Sequence, residues 1–288
     1  MKYLFSDNEN LNNLFEQVIT NIKKQDPNDA TFKIYKEYTI LKFKELLEKN
    51  NYCVELFSKK IKIIKTSFGK VNLQHLFNLD ELIIFNFYYI NKKRFKNVCD
   101  IGANIGLHSI FLEKFGYKVD AYEPDPVHRK IAKKNFIINK SKILLKEEAV
   151  GNFEGKIQFT RIKNNTTASF IGNHKKTKGK TKKFFVKVID SKSLKNKYDL
   201  IKIDAEGSEV DILQRFDKKS FNKTTFVVEI STKKNQIVIW NMIKDMKLNV
   251  YSQKIKWQKV KKLKDLPHSH LQGSIIISKK SPFKVKFI

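Results

Sequence analysis

The chain predicts an α/β fold: a doubly wound, Rossmann-like, mostly parallel sheet from about residue 95 to 277, behind a largely helical N-terminal extension. Three observations predict it. Short apolar runs alternate with amphipathic segments of helical length along that span, the pattern of parallel strands joined by crossover helices. The first run ends in a glycine-containing turn, DIGANIG (100–106), where such a sheet feeds its first helix. Acidic residues then recur at the ends of the later runs, at Glu123, Glu148, Asp204 and Glu229. Ligands of open α/β sheets bind at those carboxyl ends.

Taken in order, strands are expected near 96–101, 117–122, 142–147, 198–204, 225–230, 248–252 and 272–278. Helices are expected over 105–115, 126–139, 208–216 and 233–246. A stretch at about 155–190 interrupts the alternation, with β-patterned runs at 156–162 and 184–189 around a basic loop. The resulting division is an extension over 1–78 and a Rossmann-like domain over 79–288. In the extension, Ser6 and Glu9 form an S-x-x-E capping box ahead of Leu11, Leu14, Phe15, Val18, Ile19 and Ile22 at helical spacing. A second helical segment, 30–48, carries Phe32, Tyr35, Tyr38, Leu41 and Leu46 towards one side, as core rather than as a substrate lid. Ile61, Ile63 and Ile64 suggest a short strand and Gly69 a turn. Asp80 is expected to cap a helix running through Tyr89.

The totals are globular: 288 residues, 41% hydrophobic and 30% charged, with 23 Phe. A chain of this length buries enough apolar surface to need neither disulfides nor a structural metal. Cys53 and Cys99 lie far apart with no C-x-x-C spacing, which excludes a zinc ribbon and fits reduced thiols in the cytoplasm. The N-terminus has no signal-peptide pattern. The longest apolar run, 82–90, is broken by Asn86 and is far short of the roughly 20 residues a membrane span needs. The net charge of +29 has two readings. One is a nucleic-acid-binding face. The other is the codon bias of an AT-rich genome, which enriches Lys, Asn, Ile and Phe together and leaves Arg scarce.

The turn after the first strand carries the cofactor chemistry. Gly102 and Gly106 let the backbone turn tightly and approach a ligand. Asn104 stands where many such loops have a third glycine, and Asn is the best alternative for a left-handed backbone. Amides at the following helix N-terminus can meet a carboxylate. A dinucleotide fingerprint would read G-x-G-x-x-G; this turn lacks a glycine at 104 and has Asp100 two positions before the first glycine. An acid there suits the ammonium of S-adenosylmethionine, a group that NAD does not have. Glu123, 23 residues on, can accept from both ribose hydroxyls, and Pro124 and Pro126 end that strand and start the next helix. Glu148, preferred over Glu147, stands beside Ala149 at the third strand tip, within reach of an adenine amine. The fourth strand delivers Asp204 and Glu206 to the same edge.

Together these pieces resemble the FkbM family of methyltransferases. The resemblance rests on DIGANIGLHS (100–109), YEPDP (122–126), EAVGNFEGKIQF (148–159), TTAS (166–169) and LIKIDAEGSE (200–209). It covers about residues 80 to 278, and five ordered motifs at compatible spacing make it specific. It implies a class I methyltransferase fold of seven strands with the last antiparallel, S-adenosylmethionine as methyl donor, and an oxygen of a sugar or natural-product hydroxyl as acceptor. Carried over by position, Asp100, Gly102, Asn104 and Gly106 form the donor loop, Glu123 the ribose acid, and Glu148 with Ala149 the adenine contact. Asp204 is implied to be the acid beside the transferred methyl. The resemblance assigns nothing to His108.

Displacement at a sulfonium needs alignment and exclusion of water. An aliphatic hydroxyl also needs a base to take its proton or a divalent metal to lower its pKa. Asp204 is the candidate for base or metal ligand, with Mg2+ as the metal, and Glu206 and Glu229 stand behind it. Glu206 can also be read as a helix-start acid, and Glu229 as a plain strand-end acid. His268 and His270 form an H-x-H pair read as surface, and His174 sits in a lysine run. The expected acceptor is a small molecule or glycan. The main rival is an RNA ribose methyltransferase using the runs 174–183 and 253–264, with Trp257 stacking on a base. The absence of a Pro-Pro pair and of a cysteine following proline speaks against nucleobase methylation. A non-catalytic cofactor-binding module is the other rival. Oligomeric state is left open.

Overall fold

The computed structural model describes residues 26–69, 71–163, 169–171, 180–279 and 281. The Ser6–Glu9 box with its helix, His174 and positions 166–168 lie outside them. Helix α1 (Ala30–Lys49) is capped by Asp29, whose carboxylate accepts from the amides of Thr31 and Phe32. Its buried residues are Phe32, Thr39, Phe43 and Leu47, the last three one turn apart on a single row. Leu41, expected on the inner side, is 61% exposed because that row excludes it. Strands β1 (Cys53–Leu56) and β2 (Lys59–Lys62) form an antiparallel hairpin. Its two-residue turn, Phe57 and Ser58, has both residues at positive φ, the twist-matched hairpin geometry. After a short 3-10 turn, Leu73–Phe77, comes α2 (Leu79–Ile90). Its cap is Asn78, not Asp80: Asn78 Oδ1 accepts from the amides of Asp80 and Glu81, which places both acids in the first turn.

From β3 (Asn97–Ile101) the expected alternation holds: α3 (Leu107–Lys114), β4 (Lys118–Tyr122), α4 (Pro126–Ile138) and β5 (Leu144–Lys146). A second sheet follows, made of β6 (Ala149–Gly151), β7 (Gly155–Ile162), β8 (Phe170–Ile171) and β9 (Thr181–Asp190) in the order β6-β9-β7-β8. The chain then returns through β10 (Leu200–Ile203), α5 (Glu209–Leu213), α6 (Lys218–Lys223), β11 (Thr225–Glu229), α7 (Lys233–Met246), β12 (Val250–Ser252), β13 (Gln258–Lys259) and β14 (Ser274–Ile277). The main sheet runs β13-β12-β14-β11-β10-β3-β4-β5. Strands β5, β4, β3, β10 and β11 are parallel, and β14 is antiparallel to both its neighbours. The sheet thus has eight strands, not seven. The eighth, β13, is a two-residue edge pairing with β12 inside a basic run that shows no apolar alternation.

The main sheet sits between two apolar layers. In one, Phe32 and Phe43 of α1 belong to the same cluster as Phe85 of α2 and Phe111 of α3. Phe43 stacks on Phe77 at 4.7 Å, and Phe85 lies 4.4 Å from Phe111. In the other, Ile201, Ile203, Phe226 and Val228 pack with Ile212, Leu213 and Ile239 of α5 and α7. The strand order reverses between β3 and β10, so the turns that follow these two strands meet at the carboxyl edge.

Candidate active site

At that meeting point the turn after β3 is left-handed three times, at Gly102 (φ 78°), Asn104 (φ 54°) and Gly106 (φ 81°). A Cβ on Gly102 would stand 1.9 Å from the carbonyl oxygen of Asp204, and one on Gly106 2.3 Å from the Phe136 ring. The two glycines therefore do different things. Gly102 seats the β3 turn against the β10 turn, and Gly106 seats the start of α3 against α4. The Asn104 amide donates to Glu123 Oε2 at 2.8 Å. Its side-chain Oδ1 is buried and has no hydrogen-bond partner among the described residues.

A cleft of about 620 Å³ opens here, lined by Gly102, Asn104, Glu123, Glu148, Ala149 and Asp204 among others. Burial pushes the Glu123 carboxyl up to about 7, against the amides of Asp125 and Asn104 that donate to it. Glu148 lines the cleft, whereas Glu147 lies outside it and pairs with Arg129 and Lys133. Asp100 is not at the cleft wall. It is fully buried beneath the turn, where Oδ2 accepts from Ser109 Oγ at 2.6 Å and Oδ1 lies 3.3 Å from Lys202 Nζ.

A second cleft, about 1080 Å³, adjoins the first. Its wall includes Lys36, His75, Glu81, His108, Lys202, Glu229 and His270. Asn104, Asp204 and Glu206 line both clefts. Glu206 is not a helix-start acid: it sits at φ 51° in the turn ahead of α5, whose N-cap is Ser208. Glu229 ends β11, and burial together with the carboxylates of Asp204, Glu206, Glu81 and Glu209 holds its carboxyl well above the usual range. Burial pulls the Lys202 ammonium down, but Asp100, Asp204 and Glu81 outweigh it and hold the group above the ordinary lysine value. His268 is exposed and outside both clefts. Trp257 is 5% exposed, so its ring is packed into the core and not presented to a base. No group of three or more His, Cys, Asp or Glu side chains among the described residues is placed to hold a metal, so Mg2+ finds no support.

Sequence reasoning missed Glu81, His108 and Lys202. Lys202 left a signal: a lysine inside the otherwise apolar strand LIKI needs buried counter-charges. Glu81 and His108 left none, since their meeting depends on how α2 packs against α3.

The profile described as Methyltransferase FkbM domain matches residues 100–252, just over half of the chain. The chain belongs to the FkbM methyltransferase family. No curated protein matches it. Among solved structures it is similar to the Pyrococcus abyssi tRNA (uracil-54, C5)-methyltransferase in complex with S-adenosyl-L-homocysteine, at 12% identity and a TM-score of 0.41 over 78% of this chain and 43% of that one. It is similar to a Staphylococcus aureus protein described as a caffeoyl-CoA O-methyltransferase, at 11% identity and a TM-score of 0.42 over 86% of this chain and 98% of that one. It is also similar to the precorrin-6y C5,15-methyltransferase of Geobacter metallireducens, at 11% identity and a TM-score of 0.37 over 68% and 88% of the two chains. The chain thus spans less than half the length of the first of these. None of these similarities bears on the acceptor. No helix among the described residues is long and apolar enough to cross a membrane.

Proposed function

We propose that the protein transfers a methyl group from S-adenosylmethionine to a hydroxyl of a sugar, glycan or small metabolite. The observation that carries this reading is that two clefts share one carboxylate, Asp204, together with Asn104 and Glu206. The first cleft suits the donor molecule. Buried Asn104 Oδ1 lacks a donor, and each Glu123 oxygen accepts only one backbone amide and keeps a free lone pair. Both fit a ligand that brings hydroxyl or ammonium protons. Gly102, Asn104, Glu123, Glu148 and Ala149 would hold it, with Asp100 beneath the turn. When bound, S-adenosylmethionine supplies a methyl group already activated on a sulfonium. Asp204, at the junction, is placed to take the acceptor's proton. Glu206 shares that junction. Glu229, at the end of β11, lines the second cleft behind Asp204.

Calorimetry is expected to show S-adenosylhomocysteine binding and no NAD binding. Glu123→Ala should weaken the former by about 1–3 kcal/mol, the scale of hydrogen bonds to a charged group; unchanged affinity would remove Glu123 from the site. The pH dependence has a definite sign. Glu123 titrates at about 7, and only its ionised form can accept from both ribose hydroxyls. Below pH 7 the dissociation constant should therefore rise about tenfold per unit, and Glu123→Gln should flatten the profile.

The acceptor is tested by incubating the protein with methyl-labelled donor and separate glycan, lipid, metabolite and RNA fractions of a cell extract. Label is expected in the glycan or metabolite fraction. RNA binding is expected to be weak, non-specific and lost near physiological ionic strength. Label at a defined RNA position, dependent on the lysines of 175–183, would overturn the acceptor assignment while leaving fold and donor in place.

A further inference from the structure

The two clefts differ in where their walls come from. Every residue lining the donor cleft lies within the span 100–252 that defines the family. The second cleft draws much of its wall from outside that span, including Lys36 of α1, Glu81 of α2 and His270 before β14. What this chain selects is therefore set largely by segments that the family pattern does not contain.

Among those residues Glu81 has its carboxylate held by a chain of side chains reaching into the core. His108 Nε2 lies 2.9 Å from Glu81 Oε2, and His108 Nδ1 lies 3.1 Å from the Tyr88 hydroxyl. One proton arrangement satisfies all three groups: Tyr88 O–H donates to Nδ1, and Nε2–H donates to Oε2. Tyr88 is fully buried, and the Phe85 ring packs on the imidazole at 4.8 Å. The carboxylate is thereby held in one orientation, with Oε1 left to accept from a ligand. The charged and titratable groups around it are Lys36, Asp80, His108, Lys202 and Glu229. Burial pushes the Glu81 carboxyl up, but His108, Lys202 and Lys36 outweigh it and hold it below the usual value. Glu81 is thus an ionised acceptor at neutral pH. Both lysines are engaged, Lys36 with Asp80 and Lys202 with Asp100 and Asp204. A phosphate beside Glu81 would meet a carboxylate first, whereas a hydroxyl would meet a partner.

We propose that Glu81 is the residue with which this protein selects its acceptor: its fixed carboxylate accepts a hydrogen bond from an acceptor hydroxyl other than the one methylated, and His108 and Tyr88 are positioning residues behind it. The proposal rests on the second cleft being the acceptor compartment. It separates Glu81 from Asp204, because a group that binds a neighbouring hydroxyl acts on KM, and one that takes the reacting proton acts on kcat.

The test uses the full chain, labelled donor and the extract fraction that takes label. Glu81→Gln should raise the apparent KM for that fraction about 10- to 100-fold, the scale of a hydrogen bond to a charged group. It should leave kcat within about threefold and S-adenosylhomocysteine affinity unchanged, which also reports that the variant is folded. His108→Leu should raise KM by about tenfold. His108→Gln, whose amide can still donate to Glu81, should recover most of that loss. Phosphatase treatment of the fraction should not reduce its acceptor capacity. A Glu81→Gln variant with wild-type KM, or one that loses kcat alone, would overturn the proposal and leave the methyltransferase reading standing. Acceptor capacity destroyed by phosphatase would overturn it too. Label entering none of the fractions would overturn the acceptor reading and this assignment together.

Discussion

Asp204→Asn is expected to lower methyl transfer by about a hundredfold or more, the scale of lost general-base catalysis. The substitution keeps the shape of the side chain and removes its charge. Asp204 is one of three residues common to both clefts and the only carboxylate of the three delivered directly by the end of a core strand, β10. Its backbone is fixed on two sides: the amide donates to the Ile101 carbonyl at 3.1 Å, and the carbonyl abuts Gly102. Neither contact uses the side chain, so folding and S-adenosylhomocysteine affinity should stay close to wild type. Among the described residues its ion-pair partner is Lys202 at 3.4 Å, and the side chain is about one third exposed. Single-turnover rates with the labelled acceptor fraction measure the effect. Full activity in the variant would remove Asp204 from the proton-transfer step. Loss of wild-type activity in EDTA, restored by magnesium, would reassign it as a metal ligand.

The sheet was legible because its strands are buried on both faces and read as apolar runs of strand length. All four residues of LIKI at β10 are buried, and so are four of five in β3. The donor turn was legible because its left-handed positions demand glycine or asparagine, and Gly102, Asn104 and Gly106 supply them. Position in a turn did not reveal whether a side chain faces the ligand. Asp100 and Glu123 look alike in the sequence, yet one is sealed beneath the turn against Lys202 and the other lines the cleft. The second cleft was illegible for a different reason. Lys36, Glu81 and His108 are brought together by packing of α1, α2 and α3, and contacts at that sequence separation leave no periodic signal. The cap of α2 shows the same limit at short range, since Asn78 and Asp80 are equally good capping residues by type.

Lys202→Met should cost about 3–5 kcal/mol of stability, because it leaves a buried carboxylate without its counter-charge. The Lys202 side chain is 8% exposed and lies 3.3 Å from Asp100, which is fully buried and has no other charge within ion-pairing distance among the described residues. A hydrophobic side chain of similar length fills the same space, so the loss comes from stranding Asp100 rather than from a cavity. Ser109 would still donate to Asp100 Oδ2, but one neutral hydrogen bond does not replace an ammonium beside a buried carboxylate. For a chain of this size, each kcal/mol moves the melting temperature by about 2–4 °C, so a fall of roughly 10 °C is expected. The double variant Asp100→Asn, Lys202→Met removes both charges and should recover a large part of it, as replaced buried pairs generally do. A single variant that melts within about 2 °C of wild type would overturn the role of the Lys202 ammonium as the counter-charge of Asp100. The same ammonium stands 3.4 Å from Asp204. In the double variant, restored stability with transfer still impaired would therefore assign Lys202 a second task, keeping the Asp204 carboxylate in place at the junction of the two clefts.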